Sequence, residues 1–283
     1  MKQWQAFVAT NLENRTKVRE QVKRGEREPR KDFFHYLFDA TDPATGELGY
    51  DKHELYGECE VLTIAGSDTT AIVTAAMTFY LSHNPKIQEK LAKEIRSTYS
   101  SSADIQAGMQ LHNCVYLRAV INEVLRMAPP VPADLAREVR LGGTTIEGQF
   151  FPPGVQLSTC LYCLSYNKDV YRDPFVFRPE RWLTTAQDPE GSSADEVALA
   201  ESGVCAFSTG TRGCVGKNMA WMEMQIVLAK MIYALEMRPD VKNDKGAGRP
   251  ELGEGRNVRG QYQLYDAFVA MRDGPMVQFK ERA

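Results

Sequence analysis

Apolar positions recur every three or four residues over most of the chain, and strand-like stretches are confined to short segments after Pro129. Residues 1 to about 30 are rich in Lys, Arg, Glu and Gln, with Trp4, Phe7, Val8 and Leu12 at helical spacing. That predicts one or two solvated helices with a thin apolar stripe. Phe33 to Asp39 reads as a short helix, stopped by the turn-rich Thr41-Asp42-Pro43-Ala44-Thr45-Gly46. A central helix follows from about 51 to 84, ended where Pro85 starts the next. Thirty residues of helix span about 45 Å. Two more helices are expected over Pro85 to Tyr99 and Val115 to Met127, the second closed by Pro129-Pro130. Proline, glycine and β-branched residues from Pro129 to Phe151 predict a small antiparallel sheet. The acidic, small-residue run from 184 to 202 reads as a mobile surface loop. A helix from about Val215 to Leu235 and two terminal strands around Asp273-Gly274 complete the pattern. The fold class expected is mainly α with small antiparallel β-sheets.

Composition narrows the function. A net charge of -3 and a pI near 5.9 argue against a nucleic-acid partner. No run of 18 consecutive apolar residues is present, so no transmembrane anchor is expected in this chain. Six cysteines are scattered without a secretory leader and read as reduced thiols in contact with the cytosol. Cys160-Leu161-Tyr162-Cys163 has redox-motif spacing, but no βαβ pattern surrounds it, and a pair of ordinary buried cysteines is a stronger reading than a redox or zinc site.

Four stretches carry chemistry. Phe207-Ser208-Thr209-Gly210-Thr211-Arg212-Gly213-Cys214-Val215-Gly216 places one cysteine among three glycines, just before a helix. Glycine permits close approach of a flat partner, and amide donors at a helix start favour a thiolate. Such a cysteine is a metal ligand or a nucleophile. Ala65-Gly66-Ser67-Asp68-Thr69-Thr70 is a poor helix interior by propensity; it predicts a local widening of the central helix, or a small-residue crossing point between helices. Glu123 and Arg126 share a helix face and can pair. Pro179-Glu180-Arg181-Trp182 closes an aromatic, irregular segment.

Phe207, Gly210, Arg212, Cys214 and Gly216 fit F-x-x-G-x-R-x-C-x-G, a match whose chance odds at one position are on the order of one in a million. The chain resembles the cytochrome P450 family, the haem-thiolate monooxygenases, with 207–216 similar to its haem-binding loop. Ala65 to Thr69 resembles the family's oxygen-activation stretch, Glu123-x-x-Arg126 its ion-paired helix, and Phe177-x-Pro179-Glu180-Arg181 the segment whose arginine completes a Glu-Arg-Arg cluster. The resemblance covers nearly the whole chain as the C-terminal half or so of such a protein, a single truncated domain over 1–283.

It implies haem b as cofactor. Cys214 would be the axial ligand of the iron, Arg212 and Arg137 propionate partners, and Phe207, Gly210 and Gly216 the walls of the proximal side. Asp68 and Thr69 would relay protons to dioxygen, whereas Glu123, Arg126 and Arg181 would be structural. The implied partners are an NADPH-dependent cytochrome P450 reductase, O2 and a small apolar organic substrate. The substrate would lie near Ile64, Ala65, Thr69, Val131 to Leu135 and Tyr262 to Ala267. The implied location is the cytosolic side of the endoplasmic reticulum for a full-length protein, and the cytoplasm for this chain as it stands. Three readings stay open: a monooxygenase, an inactive fragment lacking the N-terminal half of the pocket, and an isomerase or dehydratase acting on a hydroperoxide.

Overall fold

Helix α1 (Lys2–Lys23) buries only Val8 and Leu12, which meet Phe38 and Cys59 in a small apolar cluster. Its remaining surface is charged, so the stripe is as thin as the sequence predicts, on one helix rather than two. Asp32 caps α2 (Phe33–Leu37) by accepting from the His35 N–H, and its other carboxylate oxygen takes the Arg15 Nε at 2.8 Å. Helix α3 (Lys52–His83) follows. The computed structural model describes residues 2–282 and divides between Ser67 and Asp68 into two units.

The expected widening near Gly66 does not occur: α3 is α-helical from end to end. Its hydroxyls satisfy themselves along the helix, Thr63 donating to Cys59 O, Ser67 to Thr63 O and Thr74 to Thr70 O at 2.7–2.9 Å. Nor is Gly66 a crossing point, since a Cβ there would meet no atom within 4 Å. By length and composition α3 could cross a bilayer, although Ile72, Val73, Ala76, Met77, Phe79, Tyr80 and Leu81 in its second half are core residues.

The second unit is built on that half of α3 together with α4 (Pro85–Thr98), α5 (Met109–His112) and α6 (Val115–Met127). Pro85 at the first turn sets the start of α4. The N-terminus of α6 is held from outside: Glu94 of α4 accepts from the Tyr116 and Leu117 amides, both at 2.8 Å. Two small antiparallel pairs follow: β1 (Arg137–Glu138) with β4 (Gln156–Leu157), and between them in sequence the hairpin of β2 (Thr144–Ile146) with β3 (Gln149–Phe151). Glu147 and Gly148 turn the hairpin with positive φ of 49° and 77°. Helix α7 (Leu161–Ser165) comes next.

The run from 184 to 202 is ordered, in contrast to the expected loop. Its second half is α8 (Ala194–Ser202), started by a Ser193/Glu196 capping box. Helix α9 (Lys217–Ala234) buries Met224, Leu228, Ala229 and Ile232, and leads into β5 (Leu235–Pro239). The terminal segment also differs from expectation. Short β6 (Leu264–Tyr265) pairs with β7 (Met271–Arg272), while β8 (Val277–Glu281) leaves that hairpin and pairs antiparallel with β5.

Gln88 ties this layer together. Its Nε2 donates to Leu81 O and Met237 O at 3.1 and 2.9 Å, and its Oε1 accepts from Met237 N at 2.8 Å. Gln88→Ala strips buried backbone groups of partners and is expected to cost about 1–3 kcal/mol, read as a lowered urea midpoint at unchanged slope.

Candidate functional site

The cysteine loop is shaped by three local choices. Ser208 and Gly210 adopt positive φ of 55° and 70°, which turns the chain twice within three residues. A single 3-10 turn spans Gly210–Arg212. The Cys214 N–H then donates to Phe207 O at 2.8 Å and closes the loop across its neck. Phe207 is half-buried against the main core and carries the Lys217 ammonium 5.9 Å from its ring centre.

Cys214 itself is exposed. It lies three residues before α9, slightly further out than the sequence predicts, with Gly216 as the N-cap. Among the described residues the Val215 and Gly216 amides donate to no group, and neither does the exposed Arg212 guanidinium. A Cβ on Gly216 would stand 3.8 Å from the Cys214 sulfur, so the missing side chain keeps that flank of the thiol open. Val215 beside it is 86% exposed. A soft sulfur ligand, unbonded amides, an unpaired cation and a bare apolar side chain fit a flat apolar macrocycle with an anionic edge. The residues present therefore fit a haem.

The other predicted residues fall into three places. Glu123, Arg126 and Arg181 form one buried cluster. Glu123 Oε1 accepts from Arg126 Nη2, Arg181 Nε and the Arg178 amide at 2.9, 3.0 and 2.9 Å. Its Oε2 accepts from Arg126 Nε and Trp182 Nε1, both at 2.9 Å. Burial pushes the Glu123 carboxyl up, but Arg126 and Arg181 outweigh it and hold it below the usual carboxylate range. Burial also lowers the Arg181 guanidinium. The remaining guanidinium donors go to backbone carbonyls of Ser165, Pro174, Arg172, Asp173 and Val176. Trp182 and the Arg178 amide were not predicted; only the adjacency in Pro-Glu-Arg-Trp pointed at them.

One aromatic links this cluster to the end of α8. The Arg126 guanidinium lies 5.1 Å from the Tyr171 ring centre, and Tyr171 OH donates to Ala200 O at 3.2 Å. A Cβ at Gly203 would approach that hydroxyl oxygen to 2.7 Å, so glycine is needed for the contact. Val204, Ala206 and Phe207 continue from there along the core.

Asp68 is exposed and Thr69 half-buried on α3. Arg137 is exposed on β1, and its Nη1 donates to Leu135 O and Ala136 O at 3.2 and 2.9 Å.

A cavity of about 350 Å³ joins two of the stretches expected to touch substrate. Pro132, Ala133 and Asp134 form one side, and Tyr262, Gln263, Leu264 and Asp266 another, with Cys160, Tyr162, Glu254, Arg256 and Gln261 between. Gln261 is 3% exposed, and both its Oε1 and the Arg256 Nη2 are buried without a partner among the described residues. Neither was legible in sequence: Arg256 lies in a Gly-, Lys-, Asp- and Pro-rich stretch without helical or strand periodicity, and Gln261 carries no motif of its own.

A family model for cytochrome P450 matches residues 1–251. The chain belongs to the cytochrome P450 family. Among curated cytochrome P450 monooxygenases, atnE of Emericella nidulans is 40% identical over 254 residues, which is 89% of this chain and 46% of that protein. The monooxygenase apf7 of Gibberella fujikuroi is 39% identical over 275 residues, 96% of this chain and 50% of the relative. The monooxygenase fscF of Fusarium equiseti is 35% identical over 280 residues, 98% and 51%. This cytochrome P450 chain thus spans about half the length of the relatives it matches, and its helices and small antiparallel sheets are those of the family's fold.

Proposed function

We propose that this chain carries the haem-thiolate site of a monooxygenase that inserts one oxygen atom of O2 into a small apolar organic substrate. Electrons would come from an NADPH-dependent reductase. One observation carries the reading: an exposed Cys214 sulfur flanked by unbonded amides, with an unpaired Arg212 two residues before it. Bound there through the Cys214 thiolate, haem b would supply reductive cleavage of the O–O bond.

The chain's own residues do the rest. Cys214 would hold the iron, and the Val215 and Gly216 amides would be available to hydrogen-bond its sulfur and tune it. Arg212 meets a propionate, with Arg137 as the second such cation once its guanidinium leaves its own backbone carbonyls. Phe207, Gly210 and Gly216 line the proximal side. Asp68 and Thr69 hold and pass protons at their carboxylate and hydroxyl oxygens. Glu123, Arg126 and Arg181 fix the core beneath the loop and take no part in the chemistry. The cavity between Pro132–Asp134 and Tyr262–Asp266 receives part of the substrate, where Gln261 and Arg256 can meet a polar group on an otherwise apolar molecule.

The test is spectroscopic. The chain is expressed, supplied with haem, reduced and exposed to CO; a thiolate-type Soret shift is expected, and its absence overturns the reading. In any form that turns over, Thr69→Ala is expected to raise hydrogen peroxide release relative to product by several-fold, measured as the ratio of peroxide to oxygenated product. An unchanged ratio removes Thr69 from the proton path.

A further inference from the structure

The Cys160-Leu161-Tyr162-Cys163 segment takes no part in the loop or the cluster described above. Its thiols are not the buried pair that the sequence suggests: Cys163 is exposed and Cys160 half-buried. Cys160 is the N-cap of α7, with φ −69° and ψ 112°, and Cys163 is the third residue of the helix. These two positions bring side chains together. In α8 the same relation puts Ser193 Oγ 3.0 Å from Glu196 Oε2. Positions three apart on a helix have Cβ atoms about 5–6 Å apart, and a disulfide needs about 3.8 Å. Cys160 lies outside the helix with an extended backbone, so its side chain is not held to the helical spacing. Interaction with Cys160 already pushes the Cys163 thiol up, so Cys163 keeps its proton longer.

Cys160 also belongs to the cavity wall. Its thiol donates to Pro132 O at 3.8 Å, the Tyr162 N–H donates to the same carbonyl at 3.0 Å, and Asp134 bridges Cys160 in antiparallel fashion.

We propose that Cys160 and Cys163 are a reversible dithiol–disulfide site, oxidised by a hydroperoxide, whose redox state is transmitted to the cavity wall at Pro132–Asp134. The Cys160 sulfur attacks the terminal peroxide oxygen as a thiolate. The O–O bond breaks, the leaving oxygen is protonated, and Cys160 becomes a sulfenic acid. The Cys163 sulfur then attacks the Cys160 sulfur; the S–O bond breaks, water leaves and the S–S bond forms. With hydrogen peroxide, two thiols lose two protons and two electrons, and one peroxide becomes two waters. The Cys160 thiol proton is consumed, so the Pro132 carbonyl keeps only its Tyr162 donor while the Cys160 sulfur turns toward Cys163.

The sequence makes the test clean. Trypsin cuts after Arg140 and Lys168 and at no Lys or Arg between them, so one peptide carries both cysteines and no other. The reduced full-length chain is treated with hydrogen peroxide, blocked with N-ethylmaleimide, digested and weighed. The peptide is expected lighter by two hydrogens and free of adduct, and dithiothreitol should restore two reactive thiols. Pairing is expected to be several-fold slower in denaturing urea. In the exposed variant Cys163→Ser the reaction should stop at a sulfenic acid on Cys160, trapped by dimedone. Amide exchange across residues 130–136 should quicken on oxidation. Oxygen added independently to each sulfur without loss of two hydrogens overturns the site. Equal rates in urea overturn the role of the α7 geometry, and unchanged exchange overturns the coupling to the cavity. No readout requires haem, so failure here leaves the Cys214 reading standing.

Discussion

Glu123→Ala is expected to destabilise the chain by about 3–5 kcal/mol, more than the loss of the Gln88 amide. The reason is asymmetry. Glu123 is fully buried and accepts five hydrogen bonds, two of them at one oxygen and three at the other. Its removal leaves two buried guanidinium groups without a counter-charge and the Trp182 N–H without an acceptor. The loss exceeds what the pair contributes, because an unpaired buried charge costs more than a formed pair gains. The expected result is a chain recovered mainly as aggregate, or a urea midpoint far below wild type. Glu123→Gln keeps shape but not charge and should fall between. A wild-type midpoint for Glu123→Ala would mean that the cluster is not closed in solution. The same carboxyl sets an acid limit. Its folded pKa is depressed, so its stabilisation is fully present above the ordinary carboxylate range and is lost as pH falls through the folded value. Glu123→Gln should therefore flatten the acid limb of the stability profile.

Cys214→Ala is expected to do the opposite: no measurable change in the urea midpoint and complete loss of the thiolate-type Soret shift with CO. The sulfur is exposed, and the loop's neck is closed by backbone atoms of Phe207 and Cys214, which alanine retains. Removing an exposed group that bonds nothing falls within about 0.5 kcal/mol of neutral. A shift that survives the substitution would place the iron on another residue and sink the Cys214 assignment. A large fall in stability would instead make the cysteine part of the fold.

Much of this was legible in the sequence wherever a local signal decides the structure. Pro85 and Pro129 punctuate α4 and α6, and the helices end where those residues say. The Glu123/Arg126 pair was readable from helical spacing, whereas Arg181 came only with the resemblance to the family's Glu-Arg-Arg cluster. The cluster's tryptophan was not readable, because Trp182 is brought to Glu123 by the turn of the 3-10 segment Pro179–Trp182 and not by periodicity. The Gly66 stretch misled because propensity is a weak prior and neighbouring hydroxyls bonded back along the helix. The Ser193/Glu196 box was present as Ser-x-x-Glu but masked by its glycine- and serine-rich surroundings. The partner of β8 could not be read locally, since β5 precedes it by about forty residues and register across such a gap is a tertiary outcome. At the cavity, the segment carrying Arg256 has no repeat at all.

The Glu123 cluster also has a temporal side. Arg181 Nε reaches Glu123 across 58 residues, whereas Arg126 reaches it across three. Closing the long loop carries an entropic cost that the short one does not. The α6 pair can therefore form with its helix, while the arginine and tryptophan of the 3-10 segment arrive only after hairpins and α7 have brought the chain round. Substitutions at Arg181 should then act mainly on the rate at which the native state opens and little on the rate at which it forms. The cluster would serve as a latch, closed last and setting how long the folded chain persists.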